Sequence, residues 1–279
     1  MGKLDRKVAV VTGAGRGQGR SHAIALAREG ADVAICDIGH DLETVPYPLA
    51  NADDLAETAS LVRDQGRACI ALEADVRDAA QIDALVQTTL TELGKVDVLV
   101  ANAGVWARAP TAEISDALWR EVVETNLYGV LHAIRAVSKP MMAQRSGRII
   151  ATASTAARKG LSSMAPYAAS KWGVLGLVKS AAMDLGPYNI TVNAICPGAV
   201  ESGMTDNEAA YRLFCPEADS PGRAEAEEVA RTSMHLLPVG WMPAQDITNL
   251  VVFLASDEAR YISGAAVDIS AGQCATWSA

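Results

Sequence analysis

Apolar residues recur along this chain in two alternating patterns. Short, nearly continuous apolar runs predict strands at residues 8–12, 31–37, 68–75, 96–104, 147–154, 190–198 and 265–270. Between them, apolar positions at helical spacing predict helices at residues 18–29, 53–65, 79–93, 115–138, 166–186 and 244–256. Strands that are apolar on both faces are typical of parallel sheets covered by helices on both sides. The alternation therefore predicts a doubly wound α/β fold.

Two predicted connections are much longer than the roughly 2–6 residues usual in such folds. We call residues 38–52, after the second strand, the insertion, and residues 199–243, after the sixth strand, the lid. Both follow the carboxyl ends of strands, where ligands bind in open α/β sheets. The many apolar residues of the lid favour a mobile cover over a substrate. The insertion is open to two interpretations, a tolerated surface addition or a part of the site.

Composition and charge narrow the class of protein. A length of 279 residues, half of them hydrophobic, fits one globular domain, residues 1–279. A net charge of −9 without a basic patch disfavours a nucleic-acid partner. The sequence shows neither a secretory pattern nor an apolar run long enough for a membrane span. Five scattered cysteines without a CxxC pair, and four scattered histidines, indicate reduced thiols in the cytoplasm and no bound metal.

A cluster of glycines follows the first predicted strand, in "TGAGRGQGR". Its pattern is TGxxxGxG, with Thr12, Gly13, Gly17 and Gly19, and is neither GxGxxG nor the GxxxxGK of a phosphate loop. Small residues there let backbone N–H groups and the start of the next helix approach a pyrophosphate. The cluster predicts a dinucleotide site.

An acidic residue refines that prediction. Asp37 ends the second strand, twenty residues after Gly17. A carboxylate at this point hydrogen-bonds the ribose hydroxyls of a dinucleotide and repels a 2′-phosphate, so the sequence favours NAD over NADP. Arg16 favours NADP instead, because a cation at this position is able to bind the 2′-phosphate.

Three residues have the types and spacing of an acid–base site. Tyr167 and Lys171 are four apart on a predicted helix and share one face. An adjacent ammonium stabilises phenolate and would lower the tyrosine pKa from its usual value of about 10 toward neutrality. Ser154 ends the fifth strand, where its hydroxyl is able to bind a substrate oxygen. The group predicts general acid–base catalysis.

These motifs occur in the order of a known family. They are Thr12–Gly19, Asp75, Asn102–Gly104, Asn126, Ser154, Tyr167–Lys171 and Pro197–Gly198. Because these motifs occur in this order, the chain resembles the short-chain dehydrogenase/reductases over essentially its whole length. The insertion after "CDIG" resembles the carveol-dehydrogenase-like, mycofactocin-associated subgroup. The resemblance implies a Rossmann-type three-layer sandwich with a mostly parallel sheet of seven strands.

The resemblance also implies an activity, which is NAD-dependent interconversion of a small apolar secondary alcohol, such as carveol, and its ketone. It implies a homotetramer built through helices 115–138 and 166–186. The resemblance to the carveol-dehydrogenase-like subgroup further implies that the insertion traps the cofactor and that an external acceptor, mycofactocin, reoxidises it. Two alternatives remain open: an NADPH-dependent carbonyl reductase that uses Arg16, and a nucleotide-binding sensor without chemistry.

Residue roles follow from the resemblance. Tyr167 would exchange a proton with the substrate oxygen that Ser154 holds. Lys171 would bind the nicotinamide ribose, and Asn126 would support a water-linked proton relay. Cofactor contacts would come from Gly13, Arg16, Gly17, Gln18, Gly19, Asp37, Ile38, Asp75, Val76, Asn102, Ala103, Gly104, Tyr167, Lys171, Pro197, Gly198, Val200 and Ser202. Candidate walls of the substrate pocket are Trp106, Met164 and Trp172. The family often has Thr at Ser202 and Pro at Gly203, which suggests a looser lid hinge here.

Overall fold

A computed structural model of the chain describes residues 2–276, which surround one sheet of seven strands. The strands are β1 Val8–Thr12, β2 Asp32–Asp37, β3 Cys69–Glu73, β4 Val98–Ala101, β5 Gly147–Thr152, β6 Ile190–Pro197 and β7 Ala266–Ile269. Their order is β3-β2-β1-β4-β5-β6-β7, and every pairing is parallel. All seven predicted strands and the doubly wound Rossmann-type fold are confirmed.

Helices cover both faces of this sheet. They are α1 Gly17–Arg28, α2 Ala52–Arg63, α3 Ala79–Leu93, α4 Asp116–Val123, α5 Gly129–Gln144, α6 Ala165–Leu185, α7 Glu208–Phe214, α8 Arg223–Val229 and α9 Ala244–Ala255. Val10 of β1 packs in a core with residues of α3, α5 and α6, while its neighbour Val11 packs with α1, α2 and α9. Both faces of the central strands β1, β4, β5 and β6 are therefore buried, which explains their continuous apolar runs.

The predicted helix 115–138 is interrupted. It consists of α4, a turn of π-helix at Glu124–Tyr128, and α5, which continues to Gln144. Asn126 lies in the π-helical turn and is fully buried. Single π-helical turns of this kind often mark functional sites.

The insertion is a packed part of the fold. Leu42, Val45 and Tyr47 are buried in one apolar cluster with Trp106 and Met164. A loose surface addition would leave such side chains in water, so the insertion packs against the rest of the chain.

The lid contains α7, α8 and a π-helical turn at Ala230–Met234. Val200 pairs with Met242 at its base and joins its two ends. All five cysteines lie in the described range and are unpaired. Among residues 2–276, no helix has the length and apolar character needed to cross a membrane.

The core gives a stability prediction. Leu99 on β4 is completely buried between helices, so Leu99→Ala should lower the free energy of unfolding by about 2–5 kcal/mol. Leu237→Ala, at a lid position that is 59% exposed, is the matched control and should change little. Calorimetric melting of the three proteins checks this; equal melting temperatures would contradict the packing described.

Candidate active site

A cleft opens at the carboxyl ends of the central strands. The chain runs outward from β1 through β2 to β3 and then crosses to β4 on the other side of β1. Such a reversal leaves a crevice between neighbouring strand ends, where α/β proteins bind ligands. The cleft encloses about 960 Å³, including space open to solvent. Predicted site residues that line it are Gly13, Arg16, Gly17, Gln18, Gly19, Asp37, Asn102, Ala103, Gly104, Ser154, Tyr167, Lys171, Pro197, Gly198, Val200 and Ser202.

The glycine cluster packs directly on the end of β4. A Cβ at Gly19 would lie 2.0 Å from the Gly13 carbonyl oxygen and 2.7 Å from Asn102 Nδ2. Asn102 Nδ2 in turn donates to the carbonyls of Thr12 and Gly13, at 3.1 Å each. Gly13 has a φ of +66°, in the left-handed region that favours glycine. These contacts explain why small residues recur in the cluster.

The start of α1 is suited to bind an anion. Among the described residues, no side chain caps this helix, and its first turn holds no acidic residue. Its N–H groups and positive end therefore remain available to phosphate. Gln18 Oε1, in the same turn, is buried and has no hydrogen-bond partner within residues 2–276. The glycine cluster thus fits the expected pyrophosphate.

Asp37 lies beside this cluster. Its two carboxylate oxygens accept from the backbone N–H groups of Gly15 and Ile38, both at 2.8 Å. Burial raises the pKa of Asp37, while these two hydrogen bonds and the Arg16 charge oppose the rise. Each carboxylate oxygen keeps a lone pair that a ribose hydroxyl is able to bond. The position fits the adenosine ribose of NAD.

Arg16 is already engaged by the protein. Its guanidinium donates to the Pro48 carbonyl of the insertion. It also packs on Gly203 of the lid, where an added Cβ would lie 2.9 Å from Arg16 Nη1. A guanidinium held in this way is less available to a 2′-phosphate.

The predicted acid–base residues meet at the end of β5. Lys171 Nζ donates to the Thr152 carbonyl at 2.8 Å and lies 5.8 Å from the centre of the Tyr167 ring. Burial lowers the pKa of Lys171 to about 8. Burial also raises the pKa of Tyr167, and a hydrogen bond from Ser154 opposes that rise. The expectation of a lowered tyrosine pKa is therefore not met in the chain itself, because desolvation of the phenol dominates.

Asn126 is fixed beside Lys171. Its amide donates to the Val105 carbonyl at 2.8 Å and to Ser170 Oγ at 3.1 Å, and its Oδ1 accepts from the Val105 N–H at 2.8 Å. A Cβ at Gly104 would lie 3.3 Å from both Asn126 Oδ1 and Lys171 Nζ. Asn126 therefore faces the interior next to the lysine, not solvent.

Some predicted residues lie apart from this cleft. Ile38, Asp75 and Val76 are not among its lining residues. The Asp75 carboxylate accepts hydrogen bonds from the Arg77 guanidinium, with Oδ2 2.8 Å from Nε and 2.6 Å from Nη2.

None of the three candidate pocket walls, Trp106, Met164 and Trp172, is among the residues that line the cleft. Trp172 is 48% exposed, since it follows Lys171 on α6 and points about 100° away from it. Trp106 and Met164 are buried in the apolar cluster beside the cleft, together with Tyr167.

Further lining residues were missing from the sequence prediction. They are Tyr47, Leu49 and Ala50 of the insertion, Thr152 and Ala153 at the end of β5, and Gly203, Met204 and Thr205 of the lid. The signal available was the position of the insertion and the lid after strands, together with the apolar residues in "VPYPLA".

The chain has a doubly wound parallel sheet, and at one edge of it lie a glycine cluster, an acidic residue at the end of β2 and a Ser–Tyr–Lys group. Together these features define a dinucleotide-binding fold with residues for acid–base catalysis. The family model for short chain dehydrogenase matches residues 7–212. The chain therefore belongs to the short chain dehydrogenase family.

Individual relatives agree with this assignment. The chain is 42% identical over 275 residues to a (-)-trans-carveol dehydrogenase of Rhodococcus erythropolis, covering 98% of this chain and 99% of the relative. A carveol dehydrogenase structure from Mycobacterium avium, in complex with NAD, superposes with a TM-score of 0.96 at 40% identity, covering 99% of this chain and 100% of the other. A short chain dehydrogenase from Mycobacterium paratuberculosis, bound to NAD, gives 0.89 at 34% identity, covering 98% and 100%.

The close packing at Gly19 gives a binding prediction. Gly19→Ala should weaken NADH binding by about tenfold or more, because the new methyl forces the turn away from β4. The control is Gly176→Ala on α6, where an added Cβ meets nothing within 4 Å. Titration of NADH fluorescence measures both affinities; wild-type affinity in the Gly19 variant would refute the packing argument.

Burial of Lys171 gives a pH prediction. With a pKa of about 8 in the fold against 10.5 normally, this lysine costs stability below pH 8, and the cost fades as pH rises to 10.5. The stability of Lys171→Met relative to wild type should therefore fall across that window, by up to about 3 kcal/mol. Lys179→Met, which removes the same charge from an exposed position of α6, is the control. Melting curves from pH 7 to 10 measure the difference; a constant difference for Lys171→Met would contradict the shift.

Proposed function

We propose that this chain oxidises a small apolar secondary alcohol, similar to carveol, to its ketone, with Tyr167 as the general base. The observation that carries the proposal is the meeting of Ser154, Tyr167 and Lys171 in one buried cleft with the glycine cluster and Asp37. Family membership, similarity to carveol dehydrogenases and the NAD bound in related structures make the chain an NAD-dependent alcohol dehydrogenase.

Each residue of the cluster has a role in the proposed reaction. Ser154 holds the alcohol oxygen, and Tyr167 takes the hydroxyl proton as the carbinol C–H bond breaks. NAD supplies the acceptor for the hydride from that carbon. The Lys171 ammonium stabilises the phenolate form of Tyr167, and Asn126, beside Lys171, supports passage of the proton toward solvent through water.

Residues of the cleft would hold the cofactor along its length. The N–H groups at the start of α1 bind the pyrophosphate, and Asp37 bonds the adenosine ribose. Lys171 binds the nicotinamide ribose, while Val200 and Ser202, at the base of the lid, contact the nicotinamide end. The lining of the cleft supports this arrangement.

The apolar surroundings of Tyr167 support an apolar substrate. Tyr167 packs in a cluster with Trp106, Met164, Met204 and Phe214, which come from three separate segments. Side chains of this kind exclude water and favour a hydrocarbon ring over a charged substrate.

We further propose that the insertion retains the cofactor and that an external acceptor, mycofactocin, reoxidises it. Leu49 and Ala50 line the cleft next to Asp37, so the insertion covers the adenosine end. The NADPH-dependent alternative is disfavoured by the contact between Arg16 and the Pro48 carbonyl. A sensor without chemistry is disfavoured because every acid–base residue is present.

A homotetramer in the cytoplasm completes the proposal. Trp119, Tyr128, Leu131 and Trp172 are large apolar side chains with at least 36% exposure, and all lie on the two helical stretches expected at the subunit contact. Exposed apolar patches of this kind mark protein interfaces. The five unpaired cysteines favour a reducing compartment.

The role of Tyr167 is tested by Tyr167→Phe. Loss of the phenol oxygen should reduce kcat for alcohol oxidation by about 10²–10⁴-fold while NADH binding is kept, because only the proton acceptor is removed. Tyr261→Phe, at a position that is 89% exposed, is the control. Turnover of Tyr167→Phe within tenfold of wild type would defeat the assignment.

Cofactor identity and retention are tested together. We expect desalted, denatured protein to release NAD or NADH in near-stoichiometric amount, since Asp37 selects it and the insertion covers it. Chromatography and mass spectrometry identify the nucleotide. Release of NADP would overturn the argument from Asp37, and protein free of nucleotide would overturn retention.

A further inference from the structure

Trp106 lies beside the cleft, in contact with both the insertion and the lid. It follows β4 and is only 4% exposed. Its backbone N–H donates to the Tyr47 hydroxyl of the insertion at 2.9 Å, and its indole Nε1–H donates to the Met204 carbonyl of the lid at 3.0 Å. The rings of Trp106 and Tyr47 also pack, with centres 5.2 Å apart. One residue thus hydrogen-bonds both covering segments, the insertion through its backbone N–H and the lid through its indole.

The chain next to Trp106 is fixed to the acid–base residues. Both backbone groups of Val105 are bonded by the Asn126 side chain, at 2.8 Å each. Val105 and Trp106 therefore have little freedom to follow a moving lid or a moving insertion. Movement of the insertion must therefore break the bond between Tyr47 and Trp106, and movement of the lid must break the bond between Met204 and Trp106.

A second contact joins the same two segments. Arg16 donates to the Pro48 carbonyl of the insertion and packs on Gly203 of the lid. Gly203 is adjacent to Met204, so the lid meets the insertion at two successive residues, through Arg16 and through Trp106. Tyr47, Leu49, Gly203 and Met204 all line the cleft between these contacts.

We infer that Trp106 is a positioning residue that joins the insertion and the lid into one cover, so that alcohol binding and cofactor retention strengthen each other. The inference rests on the proposed function for the two ligands that share the cleft. An alcohol that favours the closed lid also favours, through Trp106, the closed insertion. Coupling between two ligands is reciprocal, so NADH must tighten alcohol binding by the same factor.

Trp106→Phe tests the link that Trp106 makes between the insertion and the lid. Phenylalanine keeps an aromatic ring and the backbone N–H bond to Tyr47, and it removes the indole donor to Met204 together with part of the buried ring volume. Tyr47→Phe removes the other bond while keeping its ring. The matched control is Tyr261→Phe, which removes a hydroxyl from a tyrosine that is 89% exposed and lies outside the cleft.

The rate of NADH release reports directly on the link between the insertion and the lid. NADH-loaded protein is mixed with excess ADP-ribose, which competes for the nucleotide site and accepts no hydride, and the loss of bound NADH fluorescence is followed with and without carveol. NADH and carveol are both reduced, so neither reacts with the other. We expect carveol to slow release from wild type. Trp106→Phe and Tyr47→Phe should each release NADH about two- to tenfold faster, as expected for one lost hydrogen bond, and should lose most of the carveol effect.

Steady-state kinetics separate positioning from damage to the fold. Trp106→Phe should raise KM for the alcohol about two- to tenfold and leave kcat within about twofold, because the acid–base residues stay in place. Tyr261→Phe should behave as wild type in every measurement.

Two results would overturn the inference. One is wild-type NADH release from Trp106→Phe, and the other is faster release with an undiminished carveol effect. Release measured without alcohol keeps this test separate from the proposed function, whose failure would appear as a wild type that oxidises no apolar alcohol with NAD.

Discussion

The packing of the glycine cluster on the end of β4 is the constraint on which the site depends. Gly19 approaches the Gly13 carbonyl so closely that a Cβ would lie 2.0 Å from its oxygen, and the Asn102 side-chain amide donates to the same carbonyl. Because β1 and β4 are neighbours in the sheet, this contact fixes the crevice between their ends. Asp37 is then positioned by its bond to Gly15, in the same turn.

Desolvation is the second determinant of the site. The cleft buries a phenol and an ammonium together, and burial lowers the pKa of Lys171 to about 8 while it raises that of Tyr167. Such groups cost stability in the folded chain, and their presence is explained by the chemistry that a water-poor, charged environment allows. The insertion and the lid supply the apolar side chains that keep water away from Tyr167.

The fold was predictable because each strand and each long helix carries its own periodic pattern. The glycine cluster, Asp37 and the Ser154–Tyr167–Lys171 group were predictable because fixed spacing and strand ends determine where their side chains meet. The roles of Tyr47 and Met204 were not, since their contacts with Trp106 are long-range and loops have no period. The π-helical turn was missed because it is associated with tertiary bonds from Asn126 to Val105. Trp172 was misplaced because adjacency in sequence does not give a shared helix face.

Hydride transfer itself is the central claim, and isotope transfer measures it most directly. The protein is incubated with NAD and with apolar secondary alcohols, carveol first, that carry deuterium on the carbinol carbon. We expect the nicotinamide of the NADH formed to carry one deuterium, and ketone to form in an equal amount. Ketone formed without deuterium in the nucleotide, or no transfer from any alcohol to protein-bound NAD, would contradict it.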